Sequence, residues 1–212
     1  MIFTAGVKWK YLAIAGTAIV IISGSLIANE VFEIKPLLKN YQRERILTFL
    51  NPERDLANRG YNAYQSRLAV GSGGLLGKGL GQGTQNPLGF LPQSVSNNDF
   101  IFSVLAEETG FVGAFALLLA YMLLLYTILR SAFISQDSFA RQSSIGIAVL
   151  IFVHLYINIG MSVGVTPITG LPLPFLSYGG SFVLSMMFAL GFMQSVYRRN
   201  ILSQEEDREL AN

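Results

Sequence analysis

Long apolar runs, with most of the charge gathered between them, constrain this chain more than any other feature. Leu, Ile, Val, Ala and Phe dominate roughly Tyr11–Ala28, Phe100–Leu129, Ile145–Val165 and Phe182–Tyr197. Each run, wound as a helix, crosses or nearly crosses a hydrocarbon core of about 30 Å. Only 13% of the 212 residues are charged, against about 25% in a typical soluble domain. The expected fold is therefore an all-α polytopic membrane protein. It has about four transmembrane helices and a long polar loop over residues 29–98. The second run exceeds what a crossing needs, so its start is expected to project from the bilayer or the helix to tilt.

Orientation follows from basic residues beside the short loops. Lys8 and Lys10 precede the first run, Arg130 and Arg141 bracket the link between the second and third, and Arg198 and Arg199 follow the fourth. Four crossings put all of them on one side, so both termini are expected in the cytoplasm and the long loop outside. Ile34, Leu37, Leu38 and Tyr41, then Ile46, Phe49 and Leu50, recur at helical spacing within that loop, with Lys35, Lys39 and Arg43 opposite. That pattern fits an amphipathic extracytoplasmic helix on the membrane surface, or equally a surface helix packed on the spans.

Several chemistries drop out early. The chain has no Cys and one His, His154, which removes disulfides, a thiolate nucleophile and an ordinary zinc site. No other metal site is expected from the residues. A net charge of +2 gives no footprint for nucleic acid. The stretch GSGGLLGKGLGQG, Gly71–Gly83, offers Gly77 and Lys78 where a P-loop has its GK pair. Ser72 and Gly79 then break the P-loop pattern. It reads as a connector, or as backbone that donates N–H groups to a diphosphate. GMSVG, Gly160–Gly164, matches a hydrolase elbow formally, but inside an apolar helix it reads as helix packing. His154 reads as a satisfied polar residue of the bundle. Pro167, Pro172 and Pro174 forbid a helix through the uncharged segment PITGLPLPFLSYGGS. Such backbone at membrane depth is expected to re-enter or wedge between spans.

Ionisable residues in or beside a span are functional candidates. Glu107 and Glu108 lie about two turns into the second run and point in different directions, so one of them is expected to face a polar cavity. Asp99 stands at its outer start, where its bland role is a helix N-cap. Asp99 and Glu107 are about 12 Å apart along a helix, too far to act as one carboxylate pair.

Three motifs carry a resemblance. YQSRLAVGSGGLLGKGLGQGTQ from Tyr64, NDFIFSVLAEETGFVG from Asn98 and GLPLPFLSYGGS from Gly170 resemble the second half of the SEDS proteins (shape, elongation, division and sporulation). The GTQ at Gly83, the FLP at Phe90 and the PLPF form of the last motif point to the RodA branch rather than the FtsW branch. Asn98 and Gln93 depart from the Thr and Glu common in relatives. The resemblance covers the family's C-terminal half, so the chain is expected to be a fragment or a split half.

The resemblance implies a peptidoglycan glycosyltransferase serving cell elongation at the outer face of the bacterial cytoplasmic (inner) membrane. Its substrate would be lipid II, a disaccharide-pentapeptide on undecaprenyl diphosphate. Its partners would be a class B penicillin-binding protein and other elongation-complex membrane proteins. Asp99 matches the family's essential Asp, expected as base with a metal-ligand role as the alternative. Glu107 and Glu108 match its EE pair and would support a polar cavity. Arg54, Arg59, Arg67 and Lys78 are the cations available for diphosphate or sugar. No cofactor is required by the motifs, and a divalent cation such as Mg2+ stays open. A lipid-linked-substrate transporter and a non-catalytic scaffold are the competing readings.

Overall fold

In the computed structural model, which describes residues 9–31, 39–50, 59–84 and 96–210, every element of regular structure is an α-helix. These are α1 (Trp9–Val31), α2 (Asn40–Leu50), α3 (Arg59–Ser72), α4 (Ile101–Ile134), α5 (Ser138–Val163) and α6 (Gly180–Leu210). The all-α polytopic architecture is the expected one.

Three helices among the described residues are long and apolar enough to cross a membrane: α4, α5 and the Gly180–Leu202 part of α6. The first expected span falls in α1, whose apolar core, Ala13–Ile22, is shorter. Within the most apolar window of α4 only 11% is buried by the rest of the chain. Phe111, Phe115, Met122, Leu123, Tyr126 and Phe133 are all exposed there. In water that surface would aggregate; against acyl chains it is at home.

α4 and α5 form the centre. Their link is short because α4 ends at Ser135 and Asp137 already caps α5, its carboxylate accepting from the Phe139 N–H at 3.0 Å. The two helices therefore lie antiparallel. α5 buries Ser144, Ala148, Ile151, Leu155, Asn158 and Ser162, steps of three and four that make one stripe. Against that stripe lie Phe102, Tyr121, Leu125 and Ile128 of α4 and Met186 and Met193 of α6. Most of these are large apolar side chains, and their interdigitation sets how α4, α5 and α6 sit together. Ser66 of α3 donates to the Ser162 carbonyl at 3.0 Å and fastens α3 to α5.

α5 stops where the sequence says it must. Gly164 adopts φ 81°, and its N–H returns to the carbonyls of Gly160 and Met161, the usual left-handed C-cap. Pro167 follows, and the chain to Tyr178 is irregular. Leu173 and Pro174 of this segment are fully buried. The Tyr121 hydroxyl donates to the Pro174 carbonyl, and His154 Nδ1 lies 3.0 Å from the Pro172 carbonyl. The proline segment is thus wedged onto the bundle, and His154 is a satisfied polar residue within it.

Part of the proposed amphipathic helix, residues 32–38, lies outside the described residues. The rest forms α2. It packs against α1 and α3 with Thr48 buried, as a packed surface helix does, while Phe49 and Leu50 stay exposed.

Candidate functional site

α4 is not one continuous helix. Gly110 sits at φ 68°, ψ −163° and separates a short piece, residues 101–109, from the long one that follows. The break frees backbone groups that need partners in a dry setting. The glycine-rich stretch supplies them. Lys78 N–H and Gly79 N–H donate to the carbonyls of Glu107 and Glu108, each at 3.0 Å. In return the N–H groups of Phe111 and Val112 donate to the carbonyls of Gly74 and Leu75, at 2.9 and 3.1 Å. The stretch is therefore neither a free connector nor an open cradle for phosphate: these N–H groups are spent on α4. Gly77 allows the approach, because at φ 78° any side chain is strained and its Cβ would collide with the Glu108 carbonyl.

The break places Glu107 and Glu108 on the short piece, residues 101–109, rather than inside a continuous span. Glu107 is fully buried and Glu108 is half-buried. Lys78 Nζ reaches Glu107 Oε1 at 2.6 Å. Thr84 donates to the same oxygen from both its N–H and its hydroxyl, each at 2.8 Å, and its hydroxyl also accepts from Lys78 Nζ at 2.8 Å. A buried carboxylate is tolerable only with such company. The group is a clasp holding the glycine-rich loop against the short helix. Sequence reasoning missed Thr84, because only the fold brings it to Glu107.

Asp99 stands at the other end of that short piece, in the turn before α4. It is not the N-cap. Phe100 occupies that position, and no side chain caps it. The turn is instead pinned through its backbone from three sides. Asn158 Nδ2 donates to the Asp99 carbonyl at 3.0 Å and to the Leu171 carbonyl at 2.8 Å. Ser177 Oγ donates to the Asn98 carbonyl at 2.6 Å, and Tyr178 N–H to the Asn97 carbonyl at 3.0 Å. Phe100 is buried against Met161 and Ile168. The short helix, α5 and the proline segment therefore meet at Asp99.

The Asp99 carboxylate lies over Gly170, where an added Cβ would sit 3.5 Å from Oδ2. Among the described residues no cation pairs with it, and burial pushes its pKa above the ordinary carboxylate value. An anchored, half-buried carboxylate with no structural duty is suited to take a proton. Asn158 was missed at the sequence level, although a fully buried amide in an apolar helix is the signal that would have found it.

The basic candidates divide. Arg54 lies outside the described residues, and Arg59 opens α3 with its side chain not described. Lys78 is engaged by Glu107. Arg67 lines a small cavity of about 30 Å3 between α2, α3 and the end of α5, together with Arg45, Thr48 and Thr166. Arg45 was not singled out from the sequence, where it is one of several basic residues in the long loop. Among the described residues, no group of three or more His, Asp or Glu gathers to hold a metal ion.

Residues 1–201 match the family model of the FtsW, RodA and SpoVE cell cycle proteins. The chain is 40% identical over 205 residues to the peptidoglycan glycosyltransferase MrdB of Escherichia coli, covering 96% of this chain and 53% of that protein. It is 39% identical over 193 residues to a probable peptidoglycan glycosyltransferase FtsW of Trichlorobacter lovleyi, covering 91% and 50%. A solved structure described as "Structural coordination of polymerization and crosslinking by a peptidoglycan synthase complex" superposes with a TM-score of 0.71 at 31% identity. That match covers 94% of this chain and 52% of the solved one. The chain thus spans about half the length of the relatives it matches. With a family match over residues 1–201 and a fold shared with the solved complex, the chain belongs to the FtsW/RodA/SpoVE family of cell cycle proteins.

Proposed function

We propose that this chain is the catalytic C-terminal part of a peptidoglycan glycosyltransferase that polymerises lipid II, with Asp99 as the general base. The observation that carries the reading is the Asp99 seat. A half-buried carboxylate, pinned by Asn158, Ser177 and Tyr178 through its own turn, is used neither as a cap nor in an ion pair among the described residues. The names of the relatives in Escherichia coli and Trichlorobacter lovleyi support the chemistry.

In the reaction, Asp99 takes the proton from the GlcNAc 4-hydroxyl of one lipid II. The oxygen bonds to the anomeric MurNAc carbon of the growing strand. The bond from that carbon to undecaprenyl diphosphate breaks, the diphosphate departs with the electron pair, and Asp99 passes its proton to water. The leaving diphosphate needs cations. Arg67 and Arg45, which share a cavity, are our first choice for that duty, with Arg54 and Arg59 beside them in sequence. Lys78 and Glu107 position the short helix and hence Asp99. Glu108, half-buried beside them, supports the same polar neighbourhood. A divalent cation at the diphosphate would assist the departure.

We place the site at the outer face of the bacterial cytoplasmic membrane, because the basic residues Arg130, Arg141, Arg198 and Arg199 cluster at the opposite end of the helices. The fourth crossing is assigned to α1. The RodA-like motif forms point to cell elongation. A class B penicillin-binding protein is the expected partner, in keeping with the solved complex whose description couples polymerisation to crosslinking.

The broken helix and buried Glu107 also fit a lipid-linked-substrate transporter. Fluorescent lipid II separates the readings. The chain, co-expressed with the upstream half of such a protein and with crosslinking inhibited, is expected to yield long glycan strands on a gel. Movement of lipid II across vesicles without polymer would establish the transporter instead.

A further inference from the structure

A second site lies at the opposite end of the bundle from Asp99. α4 and α6 run in the same direction, and a groove of about 360 Å3 opens between their later halves, within the roughly 300–1,000 Å3 of ligand pockets. Its polarity is graded. Leu124 and Ile128 of α4 and Leu190 and Met193 of α6 line the part nearer the bilayer centre, and Gln194, Arg130 and Tyr197 line the part nearer the water. Helical spacing puts Arg198 one turn beyond Gln194 on the same row. An apolar trough ending in a cation and an interfacial tyrosine has the polarity of a lipid molecule standing in its leaflet.

Among the described residues, no carboxylate pairs with Arg130, Arg198 or Arg199 in a salt bridge. Asp137, the acidic residue nearest Arg130 in sequence, caps α5 through Phe139. Ser131 lines the groove, is 1% exposed, and its hydroxyl has no hydrogen-bond partner among the described residues. A zwitterionic headgroup would bring no net charge to this lip, and a purely apolar partner helix would leave Arg130 and Ser131 facing hydrocarbon.

We propose that this groove binds one anionic glycerophospholipid of the leaflet at the basic end of the bundle. Its phosphate sits at Arg130 and an acyl chain runs along Leu124, Ile128, Leu190 and Met193. The site is independent of the transferase reading, since it needs only the α4–α6 packing.

The test is lipid retention. The chain is reconstituted in nanodiscs of equal phosphatidylglycerol and phosphatidylcholine, extracted into mild detergent, and the lipid carried along is counted by native mass spectrometry. Phosphatidylglycerol is expected to be retained over phosphatidylcholine, and Arg130→Gln to remove about fivefold of that preference. Arg141→Gln, a basic change at the same end but outside the groove, should keep it. Gln194→Trp, an exposed position on the groove, should lower retention of both lipids by filling the space. Circular dichroism checks that each variant is folded. If Arg130→Gln fails to insert, Arg130→Lys, which keeps the charge, and Gln194→Trp carry the test. Equal retention of the two lipids by the unaltered chain would overturn the proposal. So would Arg130→Gln behaving like Arg141→Gln, unaltered retention in Gln194→Trp, or a co-purifying protein helix in place of lipid.

Discussion

At Asp99, burial and the proposed role as base pull in opposite directions, and pH exposes the conflict. The seat raises its pKa above the ordinary carboxylate value, so the folded chain keeps the proton to higher pH than the unfolded one. Its contribution to stability is therefore fully present below the unfolded value and is lost as pH rises through the raised, folded one. Catalysis by the base form runs the other way. Polymerisation should climb through the raised pKa, giving an acid limb displaced upward from that of an exposed carboxylate. A pH–rate profile of the assembled enzyme checks the displacement. Lys78 makes a different prediction. Lys78→Met leaves Glu107 buried without its ion-pair partner, expected to cost about 3–5 kcal/mol. Lys78→Met with Glu107→Gln should recover much of that, since the amide oxygen still accepts from Thr84. Thermal unfolding of the unaltered chain and the two variants reads the difference. Asp99, Glu107 and Lys78 were each legible in the sequence as charges in unusual places. The clasp of Lys78 and Thr84 on Glu107 was not, because nothing in linear order joins them across more than twenty residues.

The element that organises the site is the broken helix α4. Apolar patterning marks residues 100–129 as one long span, and length alone suggested a projecting end. The structure resolves the excess as a separate short helix, cut at Gly110 and pinned by the glycine-rich loop. Sequence pattern could not show this. A glycine within an apolar run is compatible with plain packing, and the partner strand of backbone lies some thirty residues upstream. The proline segment was readable, because three prolines leave few options, and its wedge onto Tyr121 and Asn158 follows. Gly77→Ala tests the element. With φ 78° and a collision at the Glu108 carbonyl, it should undock the loop and raise hydrogen exchange at residues 74–79 and 107–112. Gly71→Ala, on α3 with open space around it, should leave exchange there unchanged and stabilise α3 by roughly 0.5–1 kcal/mol.

At the scale of the whole molecule, the three membrane-length helices among the described residues, with α3 packed on α4 and α5 and α2 on α3, present a face that belongs against lipid or further helices. The chain covers about half of each relative, and the proposed substrate must reach Asp99 past whatever that other half contributes. On the proposed mechanism, Asp99 takes the proton in lipid II polymerisation. Asp99 and Asp99→Asn, each co-expressed with the upstream half and the crosslinking partner, are compared by gel-resolved glycan made from lipid II. Long strands are expected from the unaltered protein and none above background from Asp99→Asn, with both inserted and equally stable to heat. Strands of normal length and yield from Asp99→Asn would rule Asp99 out as the base.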